Sequence, residues 1–402
     1  MRKLWTLWTV SLRARGLQAS AEKEEFPESL MYEDKMRLPK RWVAHRCMLI
    51  SCVALGFLGL VLVSLPLMDS RTSKPLEWHV NPAHKKLVHK FVHGVLEGQC
   101  HSSSTRRSLL ARLPATSRET QPFLWKDVPL NKDLFLYPPP FGFKGYRGKV
   151  EDLLKQLPDS ASADQPGNRS NECKRCVVVG NGGILRDLGL GPLIDQFDTI
   201  IRLNSGPLGE FSMDAGNRTS IRMSYPEGTP VKWVDSDPHT LFVAVVYKGV
   251  DISWISAMIN KLSVPLLDWI FFWQKVPSQI PLEPHKFRLL NPQVIQETAL
   301  DLLKYPAPRP RLWGSDQNVP TIGVSALSLA SLLCDEVSLA GFGYSLSQQG
   351  APLHYYDHIP MSAMLQQTMH NVGRETELLQ SLVKEGAVTD LTGGIHCSFC
   401  SS

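Results

Sequence analysis

"CKRCVVVGNGGILRDLGLG", Cys173 to Gly191, decides the fold. The run Val177-Val178-Val179 is β-branched and apolar, as a strand buried on both faces should be. It breaks into Gly180-Asn181-Gly182-Gly183, and helix-capable sequence follows. A strand opening into a glycine turn can cradle a phosphate on backbone N–H groups. A dinucleotide fingerprint needs a third glycine at fixed spacing and an acid ~20 residues on. Here the spacing is loose, and the next strand, "DTIIRLNSG", ends in Asn204 rather than an acid. The two cysteines fit a metal knuckle or disulfide halves equally well.

Outward from that stretch, strands and helices alternate. Strands are predicted at Cys176–Gly180, Thr199–Leu203, Leu241–Tyr247, Phe287–Leu290 and Val337–Ala340. Helices are predicted at Lys149–Leu157, Gln293–Leu303, Val324–Leu333 and Glu375–Lys384. Alternation with apolar strands predicts an α/β domain on a largely parallel sheet. Ligands bind such sheets beyond the carboxyl ends of the strands. Gly182, Gly183, Asn204, Gly341 and Gly343 fall at those ends.

The 402 residues hold 43% hydrophobic and 20% charged side chains, with a net charge of +5. That balance folds, and it carries no basic stripe interleaved with aromatics, which argues against nucleic acid. Met48 to Met68, "MLISCVALGFLGLVLVSLPLM", carries no charge, and ~20 such residues cross a bilayer. Lys35, Arg37, Lys40, Arg41 and Arg46 precede it closely, while Arg71 and Lys74 follow. The positive-inside rule puts residues 1–46 in the cytosol as a tail and the C-terminal part in the secretory lumen. Residues 47–68 are read as a type II signal anchor, being longer and later than a cleaved signal peptide. Residues 69–135 read as a lumenal stem with one helical stretch near "AHKKLVHKFVHGVLEG", and 136–402 as the catalytic domain, entered at "YPPPFGFKG". The sequons at Asn168 and Asn217 suit the lumenal side. Cys47 and Cys52 fall in the anchor; Cys100, Cys173, Cys176 and Cys334 are disulfide candidates in an oxidising compartment. The terminal Cys397-x-x-Cys400 lies too far from the other pair for a zinc ribbon, whose pairs stand ~15–20 residues apart.

Three stretches converge on one family. They are the opening stretch, running on to "FDTIIRLNSGP"; "VPTIGVSALSLASLLCDEVSLAGFGY", Val319 to Tyr344; and "LHYYD" followed by "TMHNVGRE". Together they resemble, in order, the four sialylmotifs of animal sialyltransferases. Cys176 and Cys334 match the cysteines of the large and small motifs, His354 the third motif, and His370 with Glu375 the H-x4-E motif. "YPPPFGF", "FVAVVYKGVDISW", "FFWQKV" and "FRLLNP" are similar to the α-2,3 branch. The resemblance implies a Rossmann-like, single-domain glycosyltransferase fold of GT-A-like type with a twisted, largely parallel sheet. It implies transfer from CMP-sialic acid, with lactosylceramide as acceptor, in the Golgi membrane; terminal galactose on other glycolipids or glycoproteins is the alternative. It implies that Asn181, Gly182, Asn204, Gly323, Gly343 and His354 contact the donor, and that Cys176 pairs with Cys334 and Cys173 with Cys100. It leaves open a homo-oligomer or a complex with other Golgi glycosyltransferases.

The residues fit the chemistry. Sialyl transfer passes an oxocarbenium-like state, and the acceptor hydroxyl is a poor nucleophile until a base takes its proton. Histidine suits that task near neutrality. His370 is the expected base, His354 the partner of the leaving phosphate, and Glu375 a support for a helix start or for the histidine. Asp235-Ser236-Asp237 shows the D-x-D pattern that clamps metal on diphosphates. CMP leaves as a monophosphate, so no metal is expected and the run reads as a charged loop. "LSVPLLDWIFFW", Leu262 to Trp273, reads by composition as a buried helix; the sharper alternative is a membrane-facing patch beside the acceptor. Two other classes compete: a nucleotide-dependent oxidoreductase on the glycine turn, and a glycan-binding ectodomain without catalysis.

Overall fold

The structure is a computed structural model describing residues 80–160, 173–308, 318–343, 351–366 and 369–400, with Cys52, Val53, Leu55 and Gly56. Those four are helical and exposed; the rest of Met48–Met68, Cys47 and Asn168 lie outside the described residues. Among the described residues no helix is long and apolar enough to cross a membrane.

Eight strands form one sheet: β1 Phe123–Leu124, β2 Arg175–Val179, β3 Thr199–Leu203, β4 Ile221–Ser224, β5 Leu241–Ala244, β6 Phe287–Leu290, β7 Glu336–Ala340 and β8 Thr389–Asp390. The order is β1-β6-β5-β4-β3-β2-β7-β8. Every pair is parallel except β1 with β6. The helices are α1 Pro82–Glu97, α2 Ser104–Leu110, α3 Arg147–Leu154, α4 Gly191–Ile194, α5 Ser212–Ala215, α6 Gly249–Ile259, α7 Pro292–Glu297, α8 Ile322–Leu333 and α9 Val372–Lys384.

Strand pleating divides the core. On one face Cys176 and Val178 of β2, Ile201 of β3, Met223 of β4 and Val243 of β5 pack with residues of α7, α8 and α9. On the other, Phe242 and Ala244 pack beneath α3 and α6, while Val177, Val179 and Ile200 pack with α1. Val177 and Val178 are fully buried, as the β-branched run predicts for a strand with parallel neighbours on both sides. The predicted strands recur with ends shifted by a few residues at most. β1, β4 and β8 are additional. β4 escapes the pattern because its sequence, Ile-Arg-Met-Ser, places Arg222 inside the protein.

Residues 82–135, read in the sequence as stem, carry folded elements. Val88 and Val92 of α1 are fully buried, and β1 joins the sheet edge through Phe123↔Leu290. The cysteines bond as Cys100–Cys173, Cys176–Cys334 and Cys397–Cys400. Cys52 is free and exposed. The second of these joins β2 to the residue that ends α8.

One composition-based expectation is overturned. Leu262 to Trp273 is not a buried helix: it forms the 3-10 turn Leu266–Phe271, none of whose residues is buried. Its one-sided anchoring explains the difference, since Val264 and Phe272 are the buried residues of the run in the cluster under β5 and β6, with Trp269 half-buried against them.

Candidate active site

The ends of β2, β3 and β7 meet at a cavity of ≈ 150 Å³. β3 and β7 leave β2 in opposite directions along the sheet, which is where a parallel α/β sheet opens a crevice. Asn181, Gly182, Asn204, Gly323, Gly343, His354 and Glu375 all line it. His370 does not; it lies two residues before Val372, which does. Asn217 stands elsewhere, exposed, with its N–H on Asp195 Oδ2 at 2.9 Å.

The glycine turn is used differently from a simple phosphate cradle. The N–H groups of Gly180, Gly182 and Gly183 donate to Ala340 O, Gly341 O and Leu353 O at 2.8, 3.0 and 3.1 Å. Those donors stitch the turn after β2 to the end of β7 and to the segment at Leu353. A Cβ on Gly180 or Gly182 would stand 2.6 or 2.5 Å from Gly341 O, so glycine here permits backbone against backbone. Asn181 donates from Nδ2 to Leu203 O at 3.3 Å, tying β2 to β3. Asn204 takes a left-handed φ of 51°, a conformation asparagine tolerates better than most residues. Arg222 Nη1 donates to its carbonyl at 2.6 Å.

The strap at residues 351–357 brings in the first histidine. His354 forms an antiparallel bridge with Gly182, and Tyr355 N donates to Asn181 O at 3.0 Å. The Tyr355 hydroxyl donates to Pro207 O at 2.6 Å and fixes the strap to the loop after β3. His354 Nδ1 stands 2.6 Å from Asp357 Oδ2, and its ring stacks on Tyr356 with centroids 5.1 Å apart. A carboxylate accepts from Nδ1–H, so Nε2 is the nitrogen available to a ligand.

His370 is oriented by a carbonyl. Its Nδ1 lies 2.7 Å from Val319 O. A carbonyl oxygen only accepts, so Nδ1 carries the proton, and in the neutral ring Nε2 holds a lone pair. Burial pulls its pKa below the ordinary 6.5, against the opposing pull of the Val319 bond. Asn371 then caps α9 by accepting from Arg374 N at 3.1 Å.

Glu375, 4% exposed, clamps two motifs together. Its carboxylate accepts from Thr321 N at 2.7 Å and from Thr321 Oγ1 at 2.6 Å. Thr321 caps α8, so the clamp joins the start of α8 to the first turn of α9. Burial raises Glu375 from the ordinary 4.5 to about 7, although both Thr321 bonds favour the charged form. An acid raised in the folded state stabilises fully below its unfolded value, and the stabilisation is lost as pH rises through about 7. Glu375→Gln is therefore expected to flatten the fall in melting temperature between pH 5 and pH 8, with most of the gain at pH 8. Glu375→Ala, which leaves the Thr321 N–H and hydroxyl proton without their acceptor, should cost ~1–3 kcal/mol at pH 5 and less at pH 8, where losing the buried charge offsets part of it. Thermal unfolding of both variants at the two pH values checks this.

Asp357 and Thr321 belong to the site and escape sequence reasoning. The signal for Asp357 is its spacing from His354 in "LHYYD". Thr321 has a legible capping role but no visible tie to Glu375. The D-x-D reading also resolves: the run lies in the loop before β5, but Asp235 is a buried partner of Arg222, with Nη2 to Oδ1 at 2.6 Å, and not a solvent-exposed charge.

The sequence model of glycosyltransferase family 29 (sialyltransferase) matches residues 123–387. The chain belongs to this family. A lactosylceramide alpha-2,3-sialyltransferase of Rattus norvegicus is 44% identical over 368 residues, covering 90% of this chain and 94% of that one. The Homo sapiens enzyme of the same name is 47% identical over 323 residues, covering 80% and 77%. A Homo sapiens CMP-N-acetylneuraminate-beta-1,4-galactoside alpha-2,3-sialyltransferase is 37% identical over 299 residues, covering 74% and 78%. In fold, this sialyltransferase resembles a crystal structure of a mammalian sialyltransferase in complex with Gal-beta-1-3GalNAc-ortho-nitrophenol. The TM-score is 0.54 at 21% identity, covering 73% of this chain and 98% of the other. The α/β architecture on a largely parallel sheet is thus that of the family.

Proposed function

We propose that this sialyltransferase moves sialic acid from CMP-sialic acid to the 3-OH of the terminal galactose of lactosylceramide, forming ganglioside GM3 with inversion. The observation that carries this is the similarity of 44% over nine-tenths of the chain to enzymes acting on lactosylceramide, against 37% over 74% for the galactoside enzyme. That second similarity supports the alternative, α-2,3 transfer to terminal galactose on other glycolipids or glycoproteins. The donor lies along Asn181, Gly182, Asn204, Gly323 and Gly343. His370 Nε2 takes the proton of the galactose 3-OH as its oxygen forms a bond to the anomeric carbon. The bond from that carbon to the phosphate oxygen breaks, and CMP leaves with the electron pair. His354, oriented through Nδ1 by Asp357, turns Nε2 toward the leaving phosphate as its hydrogen-bond partner. The chain works as a single-pass type II Golgi membrane protein anchored by Met48–Met68, with a lumenal catalytic domain. Met48–Met68 is long and uncharged enough to span, with basic residues on its N-terminal flank.

An acceptor panel tests the reading. Lactosylceramide, galactosylceramide, and type 1, type 2 and mucin-type disaccharides are each offered with labelled CMP-sialic acid. Lactosylceramide should exceed every other acceptor; equal use of the free disaccharides would favour the alternative. Transfer is expected to persist in excess EDTA, because no diphosphate needs clamping. Loss on chelation with recovery on added manganese would overturn that.

A further inference from the structure

Leu262 to Trp273 is apolar at every position but Ser263 and Asp268. Leu266, Leu267, Ile270 and Trp273 are between 70% and 84% exposed. The run is not loose. Val264 and Phe272 are buried beneath it, and Trp254 Nε1 donates to Pro277 O at 3.0 Å just beyond it. The same fold that buries two of its residues therefore holds the others outward. A contiguous apolar face of this kind marks an interaction surface.

Its position ties it to the catalytic cavity. Ser224 Oγ, at the end of β4, lies 3.4 Å from Asn204 Oδ1. The turn after β4 carries Glu227, whose carboxylate accepts from Lys248 Nζ at 2.6 Å and from Trp273 N at 3.4 Å. Gln274 Nε2 donates to the Glu227 carbonyl. The strip and the donor cradle thus share one buried joint. The exposed cations Lys261 and Lys275 flank the strip along the chain, with Lys261 also paired to Glu283 at 2.8 Å.

We propose that this strip rests in the headgroup layer of the membrane that carries the lipid acceptor. The proposal rests on the lactosylceramide reading. An aliphatic tip, a tryptophan at one end and a lysine rim are the make-up of a segment lying in a bilayer interface. The rim complements anionic headgroups; a second copy of the chain would have to bury these lysines against themselves. The acceptor supplies the need. A disaccharide on ceramide stays in or just above a headgroup layer ~5–8 Å deep, so its hydroxyl cannot rise to a distant base. Seating the strip brings the Asn204 side of the cavity down to the sugar.

The test uses the full chain reconstituted in vesicles of phosphatidylcholine with a fraction of phosphatidylserine. One arm compares the parent with Leu266→Ser/Leu267→Ser/Ile270→Ser on lactosylceramide in the vesicle and on soluble lactose. Transfer to the lipid should fall ~10-fold or more while transfer to lactose stays level, because only the lipid must be met at the surface. The other arm measures quenching of tryptophan fluorescence by lipids brominated near the carbonyl end of their chains. Quenching should drop in Trp273→Phe. Unchanged lipid transfer in the triple variant, or quenching that Trp273→Phe leaves untouched, overturns the proposal. A strip that instead pairs two copies gives no quenching that Trp273→Phe removes, and a smaller oligomer in the triple variant, which also overturns it. A parent chain that uses neither lactosylceramide nor lactose overturns the acceptor reading alone, and the quenching arm still decides the docking.

Discussion

His370→Ala is expected to lose transfer by ~10²–10⁴-fold, the range for removal of a general base, with affinity for CMP nearly that of the parent chain. The geometry separates it from the donor. Asn181, Gly182, Asn204 and His354 line the cavity, whereas His370 stands outside that lining at the approach to α9. The Val319 carbonyl fixes the proton on Nδ1 and leaves Nε2 basic. Burial lowers the pKa from the ordinary 6.5, which favours the neutral ring that a base needs. The acid limb of the rate profile should therefore lie below pH 6.5, since protonating the base removes its lone pair. His354→Ala should differ in kind, weakening donor use because it removes the phosphate's partner. Single-turnover transfer and CMP affinity, measured on each variant, distinguish the two roles. A His370→Ala chain that lost CMP affinity as severely as His354→Ala, or transferred at the parent rate, would contradict the assignment.

The fold and the site were legible to different depths. Val177–Val179 announces β2 because a strand with neighbours on both sides is apolar along its length, while β3, β6 and β7 stay legible although Arg202, Arg288 and Ser338 interrupt their apolar runs. Asn181, Asn204 and Gly343 fall at strand ends in the sequence and at the cavity in space. What stayed hidden depends on long-range pairing. β4 reads as polar until Asp235 is seen to neutralise Arg222, and Glu375 reads as a helix-start acid until Thr321 is placed against it. The glycines pointed to the right turn for a partly different reason: they admit the neighbouring backbone at Gly341. Leu262–Trp273 misled because composition says how apolar a segment is, and only packing says which side has a partner.

Asp235→Ala should destabilise the fold by ~3–5 kcal/mol, the range for breaking one side of a buried ion pair. Neither side chain of the Arg222–Asp235 pair has any exposure. Asp235 Oδ1 also accepts from Thr219 Oγ1 at 2.6 Å, so the carboxylate satisfies a guanidinium and a hydroxyl at once. Without it Arg222 keeps a charge with no counterion, and the neighbouring buried Arg202, already lowered to about 10 by burial and by Arg222, loses a compensating field. The damage reaches the cradle, since Arg222 Nη1 holds the carbonyls of Asn204 and Gly206. Donor affinity should fall along with the melting temperature. Asp237→Ala is the internal control. Asp237 is only partly buried and accepts from His239 N at 2.8 Å in a local turn, so its loss should cost ~0.5–1 kcal/mol. The double change Arg222→Met/Asp235→Leu removes both charges and should recover part of the stability, because a buried pair is rarely worth more than well-packed apolar groups. Chemical denaturation of the three variants, read beside donor binding with and without manganese, gives the answer. If Asp235→Ala unfolded at the parent's denaturant midpoint yet lost a manganese-dependent donor affinity, Asp235 would be a metal ligand and the buried ion pair would not be its role.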